Sequence, residues 1–208
     1  MTRRRTHGIV AAALICACLC HANLADAQKD NPRKFHFGAS AGVIAAQIDG
    51  DELSGFHKLG YQFGLLGGYS FSDTHWFSLE LQYGSYGSKK KNEDVEINLE
   101  AGLKSINVLL AYSLRFGDSW DGVKKFRFIV GPKMHRIISV DGSNITKGLL
   151  KSQFIAAHLG FSYAVSKSFF LDLTYTHSLT NLLKEPLMTA DTYVPYYLTL
   201  GVSYYIGK

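Results

Sequence analysis

Apolar and polar residues alternate along most of this chain. In "FFLDLTYTHSLTN", residues 169–181, Phe169, Leu171, Leu173, Tyr175 and Leu179 fall on one parity, and Asp172, Thr174, Thr176, Ser178 and Thr180 on the other. A period of two puts successive side chains on opposite faces of a strand. The same alternation marks 35–47, 58–70, 76–88, 104–116, 124–137, 151–165, 169–181 and 192–206, which predicts eight strands. Their connections alternate in length. "IDGDELSGFH", "KKKNEDVEINLEAG", "ISVDGSNITKGLL" and "LLKEPLMTAD" are long; "FSDTH", "GDSWDGV" and "SKS" are short. Long loops at one rim, with short turns and both termini at the other, are the plan of an up-and-down outer-membrane barrel. Pro132 and Pro195 fall inside predicted strands. Proline has no N–H for the ladder, so both are expected at bulges or rim positions.

Which face looks inward decides the environment. In 198–206, Leu198, Leu200, Val202, Tyr204 and Ile206 oppose Thr199, Gly201, Ser203 and Tyr205. In 105–116, Ile106, Val108, Leu110, Tyr112, Leu114 and Phe116 oppose Ser105, Asn107, Ala111, Ser113 and Arg115. A water-facing surface is normally rich in Lys, Glu, Arg and Asp. The opposing set here is instead Gly, Ser, Thr, Gln and Asn, which suits the narrow interior of an eight-stranded barrel. The greasy face is therefore expected to meet lipid, with Leu110, Tyr112, Leu173, Leu200 and Val202 among its residues. Aromatics bunch near the short turns (Phe35, Phe37, Tyr69, Phe71, Trp76, Phe77, Tyr112, Phe116, Phe126, Phe128, Phe169 and Tyr204) and predict an interfacial girdle there. In hydrocarbon every backbone N–H and C=O must be paired, and a closed sheet satisfies them all. The inverse arrangement, a soluble barrel of the lipocalin kind with a ligand inside, is the structural alternative. Lys125, Arg127, Lys133 and Arg136 on one strand are its best support.

The start of the chain sets the compartment. Arg3, Arg4 and Arg5 precede an apolar stretch, Gly8 to Cys20, and Ala25-Asp26-Ala27 offers a cleavage site before Gln28. This is the layout of a secretory signal peptide over 1–27, followed by a barrel domain over 28–208. Cys16, Cys18 and Cys20 all lie before Gln28, so the mature chain would carry neither disulfides nor cysteine metal sites. Ile15-Cys16-Ala17 before Cys18 is a poor lipoprotein box beside that site. Losing three Arg and one Asp with residues 1–27 lowers the net charge from +5 to +3, too mild to argue for nucleic acid.

Candidate chemistry is sparse. Glu80, Arg115, Arg127 and Asp172 share the inward parity near short turns, and Lys133 and His158 lie higher on it. Charges in so narrow a lumen must pair to offset their desolvation, so Glu80, Arg115, Arg127, Asp172 and Lys133 are read as a structural ion-pair network. His177 beside Ser178 suggests acyl-transfer chemistry, but neighbours on a strand point to opposite faces. Asp49, Asp51 and Glu52 resemble a calcium loop only loosely, since the twelfth-position glutamate is missing. The basic run in "SKKKN", residues 88–92, reads as loop charge near acidic head groups. No catalytic residue, metal ligand set or cofactor motif emerges.

"FHFGASAGVIAAQIDGDELSGFHKLGYQFGLLGGYSF", "FSLELQYGSYGSKKK" and the closing "YLTLGVSYYIGK" together resemble the PorT-like outer-membrane β-barrel family. Gly38, Gly42, Gly50-Asp51, Gly55-Phe56, Gly60, Gly64, Leu79-Glu80-Leu81, Tyr83 and Gly87-Ser88 carry the resemblance. It implies an eight-stranded barrel in the outer membrane of a Gram-negative cell, and an association of some members with protein export. The chain departs from the family pattern in "SINVLLAYSL", which lacks a proline, and in ending Ile206-Gly207-Lys208 rather than on an aromatic residue.

The expectation is thus an all-β, eight-stranded antiparallel up-and-down transmembrane barrel after a cleaved signal peptide. It is expected to be monomeric and non-enzymatic, in contact with outer-membrane lipid and not with nucleic acid. Loops 48–57, 89–103, 138–150 and 182–191 are expected to meet secretion or surface proteins. A membrane-embedded lipid-modifying enzyme and a soluble periplasmic ligand-binding barrel are the alternatives.

Overall fold

The computed structural model describes residues 35–49, 58–91, 98–120, 123–142, 148, 150–184 and 193–206. The 1–27 segment, Asp51 and Glu52 lie outside them. Eight strands, β1 (Phe35–Asp49), β2 (Lys58–Ser70), β3 (His75–Lys91), β4 (Asn98–Trp120), β5 (Val123–Gly142), β6 (Gln153–Ala164), β7 (Phe169–Ser178) and β8 (Val194–Ile206), pair antiparallel in chain order. β8 returns to β1 and closes the barrel.

Pairing from Phe35 runs through Tyr69, Phe77, Tyr112, Val130, Leu159, Tyr175 and Leu198, and returns to β1 at Ala45. The path has climbed ten residues, from 35 to 45. Such a stagger tilts the strands by about 40° and leaves an interior that side chains fill. Alternation then decides orientation. Leu110, Leu173 and Leu200 point outward at 51%, 54% and 58% exposure, with half-buried Tyr112 and Val202 on the same face. Ser105, Asn107, Ser162, Thr176 and Thr199 are buried inside.

β4 and β5 outrun their predicted spans at both ends, so 98–103 and 138–142 are strand rather than loop. Backbone pairing continues past the alternating stretches, with Lys89 opposite Glu100 and Ala101 opposite Gly142. Pro132 marks no bulge and no rim. Leu109↔Lys133 and Tyr112↔Val130 keep one register on either side of it, and Pro132 itself pairs with Ala157. Its missing N–H merely interrupts the ladder toward β4. The register shifts lie elsewhere, between Lys104 and Ser105 and between Phe116 and Ser119. Pro195 does sit at a rim, as the second residue of β8.

The short turns at 71–75 and 165–169 share one device. Phe71 N–H donates to the His75 carbonyl (3.0 Å), and Val165 N–H to that of Phe169 (2.9 Å). Ser72 Oγ accepts from His75 N–H, and Ser166 Oγ from Phe169 N–H, each at 3.1 Å. Serine thereby satisfies a turn amide that the ladder leaves over. The β4–β5 end turns differently, with Gly117 at φ 85°, a conformation that favours glycine.

Trp76 departs from the predicted girdle. It points inward and is fully buried, because it has the opposite parity to Phe77. A β-carbon at Gly68 would overlap its indole, so the glycine makes room for the ring.

Candidate functional site

The lumen is closed by layers of side chains. At the short-turn end Leu66, Trp76, Ala164, Phe170 and Tyr205 form an apolar plug. Trp76 and Tyr205 lie 4.7 Å apart, and Phe170 meets Tyr205 edge-on at 5.5 Å. These aromatics sit on strand ends where the tilted walls bring β2, β3, β6, β7 and β8 to one level.

Arg127 lies above this plug, over the rings of Trp76, Phe170 and Tyr205. Its Nη1 donates to the Tyr205 hydroxyl at 2.6 Å. Its Nη2 donates to Asp172 Oδ1 and to Ser162 Oγ, both at 3.1 Å. The other Asp172 oxygen accepts from the Ser203 hydroxyl. The buried carboxylate is therefore held by a guanidinium and a hydroxyl at once, which is what burial of a charge demands. Arg115 does not join this network. It stacks on Trp76 with its guanidinium carbon 3.8 Å from the ring centre, and its Nε and Nη2 have no hydrogen-bond partner among the described residues. A cation on an indole face gains electrostatic stabilisation from the ring.

Glu80 sits beside a cavity of about 30 Å³ that Asp172 and Arg127 also line. Its Oε2 accepts from Gln82 Nε2 at 2.8 Å. Lys133 is fully buried, with Nζ 3.5 Å from Gln62 Oε1. The cations and carboxylates thus form a staggered ladder rather than one ring. Ser40 Oγ, Gln82 Oε1, Thr174 Oγ1 and Thr199 Oγ1 belong to residues lining the cavity, and none has a protein partner among the described residues. The space suits one or two water molecules, which would satisfy them.

The upper lumen closes again. His158 Nδ1 meets Thr176 Oγ1 at 2.9 Å, and His135 stacks on Phe154 at 4.3 Å with Nδ1 3.2 Å from the Tyr86 hydroxyl. Ile44, Tyr86, Leu103, Ile137, Phe154 and Tyr197 complete an apolar layer. Leu150, Leu182 and Leu183, from the loops flanking β6 and β7, fold onto it. Leu150 pairs with Leu183, and Asn181 Oδ1 accepts from the N–H groups of Leu183 (3.0 Å) and Tyr193 (2.9 Å). Sequence reasoning missed this lid, since three leucines in irregular loops have no period to betray them.

His177 and Ser178 do point apart. His177 is outside, its Nδ1 3.1 Å from the Tyr175 hydroxyl, while buried Ser178 donates to the Thr180 carbonyl at 2.8 Å. The described residues hold no group of three or more His, Cys, Asp or Glu placed to bind a metal.

A closed eight-stranded barrel, greasy outside and polar along its axis, fits the family comparison. The model for the outer membrane protein beta-barrel domain matches residues 10–205. The chain belongs to that family. It is a small outer-membrane barrel, and the soluble periplasmic alternative falls away. Among solved structures, Ail, the attachment invasion locus protein of Yersinia pestis, in complex with the heparin analogue sucrose octasulfate, gives a TM-score of 0.50 at 14% identity, covering 84% of this chain and 100% of that one. Neisserial surface protein A gives 0.48 at 20% identity, with 84% and 99% covered. OprG of Pseudomonas aeruginosa gives 0.43 at 16%, with 84% and 95% covered. At these identities the likeness is one of fold. No curated protein matched the chain.

Proposed function

We propose that this outer-membrane barrel is a non-enzymatic, monomeric interaction protein, an accessory to protein export of the PorT-like kind, working through its long loops. The observation that carries this reading is the double closure of the lumen. Among the described residues, an aromatic plug packs across the lumen below and a leucine-capped layer packs across it above. A barrel that conducts nothing acts by what its surfaces touch, and the long connections place more residues at their rim than the short turns place at the other. The closed sheet leaves no strand edge for self-association, which favours a monomer. His177 and Ser178 on opposite faces give no nucleophile–base pair, which disfavours the lipid-modifying alternative.

Two measurements test the reading. Purified barrel in planar bilayers should give no discrete conductance steps; steady channel openings would refute the closed lumen. Deleting the gene should change the set of secreted proteins. Re-expression of the full chain should restore it, and a chain shortened within 50–57 and 185–191 should not. An unchanged secreted set would remove the export role.

A further inference from the structure

The outer wall differs in character around its loop-side edge. On β2, β3, β7 and β8 the outward residues at that level are Tyr61, Tyr83, Tyr175, His177 and Tyr196, several in ring contact. Tyrosine there is an ordinary interfacial anchor. Across β4, β5 and the entry to β6 the loop-side positions carry Lys104, Arg136 and Lys151 instead. The registers place them together: Arg136 pairs with Ile106 on one side and Gln153 on the other, Lys104 lies two residues beyond Ile106, and Lys151 two before Gln153. Arg136 and Lys151 are exposed and form no ion pair among the described residues, whereas Lys104 is bound to Asp141 at 2.6 Å. Directly below stand lipid-facing Ile106, Leu110, Met134 and Ile155.

We infer that this cationic arc is a binding site for the phosphorylated head group of an outer-leaflet glycolipid, its acyl chains lying along the apolar wall beneath. Among the described residues two unpaired cations stand beside one neutralised pair, which gives the arc a net positive charge. It sits at the depth where acyl chain gives way to head group, where the anions of the outer leaflet are lipid phosphates. Arginine pairs phosphate oxygens through a planar fork and lysine as a point charge. The site lies on the barrel wall and does not depend on the loop-mediated role proposed above.

The test is native mass spectrometry of the full barrel in a non-ionic detergent, titrated with bisphosphorylated lipid A or with the same lipid stripped of phosphate. The wild-type barrel should retain the phosphorylated form on the order of tenfold more tightly, and the preference should shrink as salt rises. The R136Q/K151Q variant should lose that preference. A control, K124Q/K125Q, carrying its changes at the short-turn end, should keep it. Equal retention of both lipids by the wild type overturns the site whether or not any variant folds. Undiminished preference in R136Q/K151Q overturns it as well.

Discussion

Replacing Arg127 with Met removes the central cation of the lumen while keeping most of its volume. Asp172, whose side chain is 12% exposed, would keep only the Ser203 hydroxyl among the described residues. Tyr205 and Ser162 would lose their guanidinium donors, and three ring faces their cation. Breaking a buried ion pair from one side costs about 3–5 kcal/mol, since the remaining charge stays desolvated. The adjacent cavity admits water, which places the expected loss near the lower end, about 3 kcal/mol. Replacing both partners, as R127M/D172L, removes the stranded charge and should recover most of that loss. The assay is reversible urea unfolding of barrels in phospholipid vesicles, followed by Trp76 fluorescence in a Trp120→Phe background and by the band shift of unboiled samples. R127M within 1 kcal/mol of wild type, or a double variant as unstable as the single ones added, would refute the pairing argument.

Other consequences can be checked on the same preparation. Leu110→Arg, at mid-belt, should cost about 2–4 kcal/mol, whereas Ile138→Arg, near the loop-side edge, should cost about 1 kcal/mol or less. Trp76→Ala should cost about 3–5 kcal/mol by emptying the lower plug. Gly68→Leu should push the indole from its place and red-shift its emission; unchanged emission would mean that Gly68 does not hold Trp76. Asp141→Asn breaks a surface pair and should change stability by less than about 1 kcal/mol.

Strand count, closure and sidedness were legible in the sequence because lipid outside and a narrow lumen inside impose opposite chemistries on alternate residues. Leu110 and Ser113, or Leu200 and Thr199, announce their faces by type alone. Trp76 did not, since an aromatic near a turn suits both a membrane interface and a lumen plug, and only its parity separates the two. The charge ladder was partly legible. Inward parity singled out Glu80, Arg127, Asp172 and Lys133, but which of them touch depends on the ten-residue stagger, a property of all eight strands together. Arg115 was misplaced for that reason: the tilt sets it below Asp172, against Trp76. Pro132 misled because strand rules penalise proline generally, whereas here one lost bond lies within a ladder that holds its register on both sides.

In this barrel apolar side chains face lipid and small polar ones face the axis. Single spin labels at each position from 198 to 206, in barrels folded into bilayers, measure it through collision with oxygen, which concentrates in hydrocarbon. Oxygen accessibility should be high at 198, 200, 202 and 204 and low at 199, 201, 203 and 205. A reversed or flat profile would contradict it.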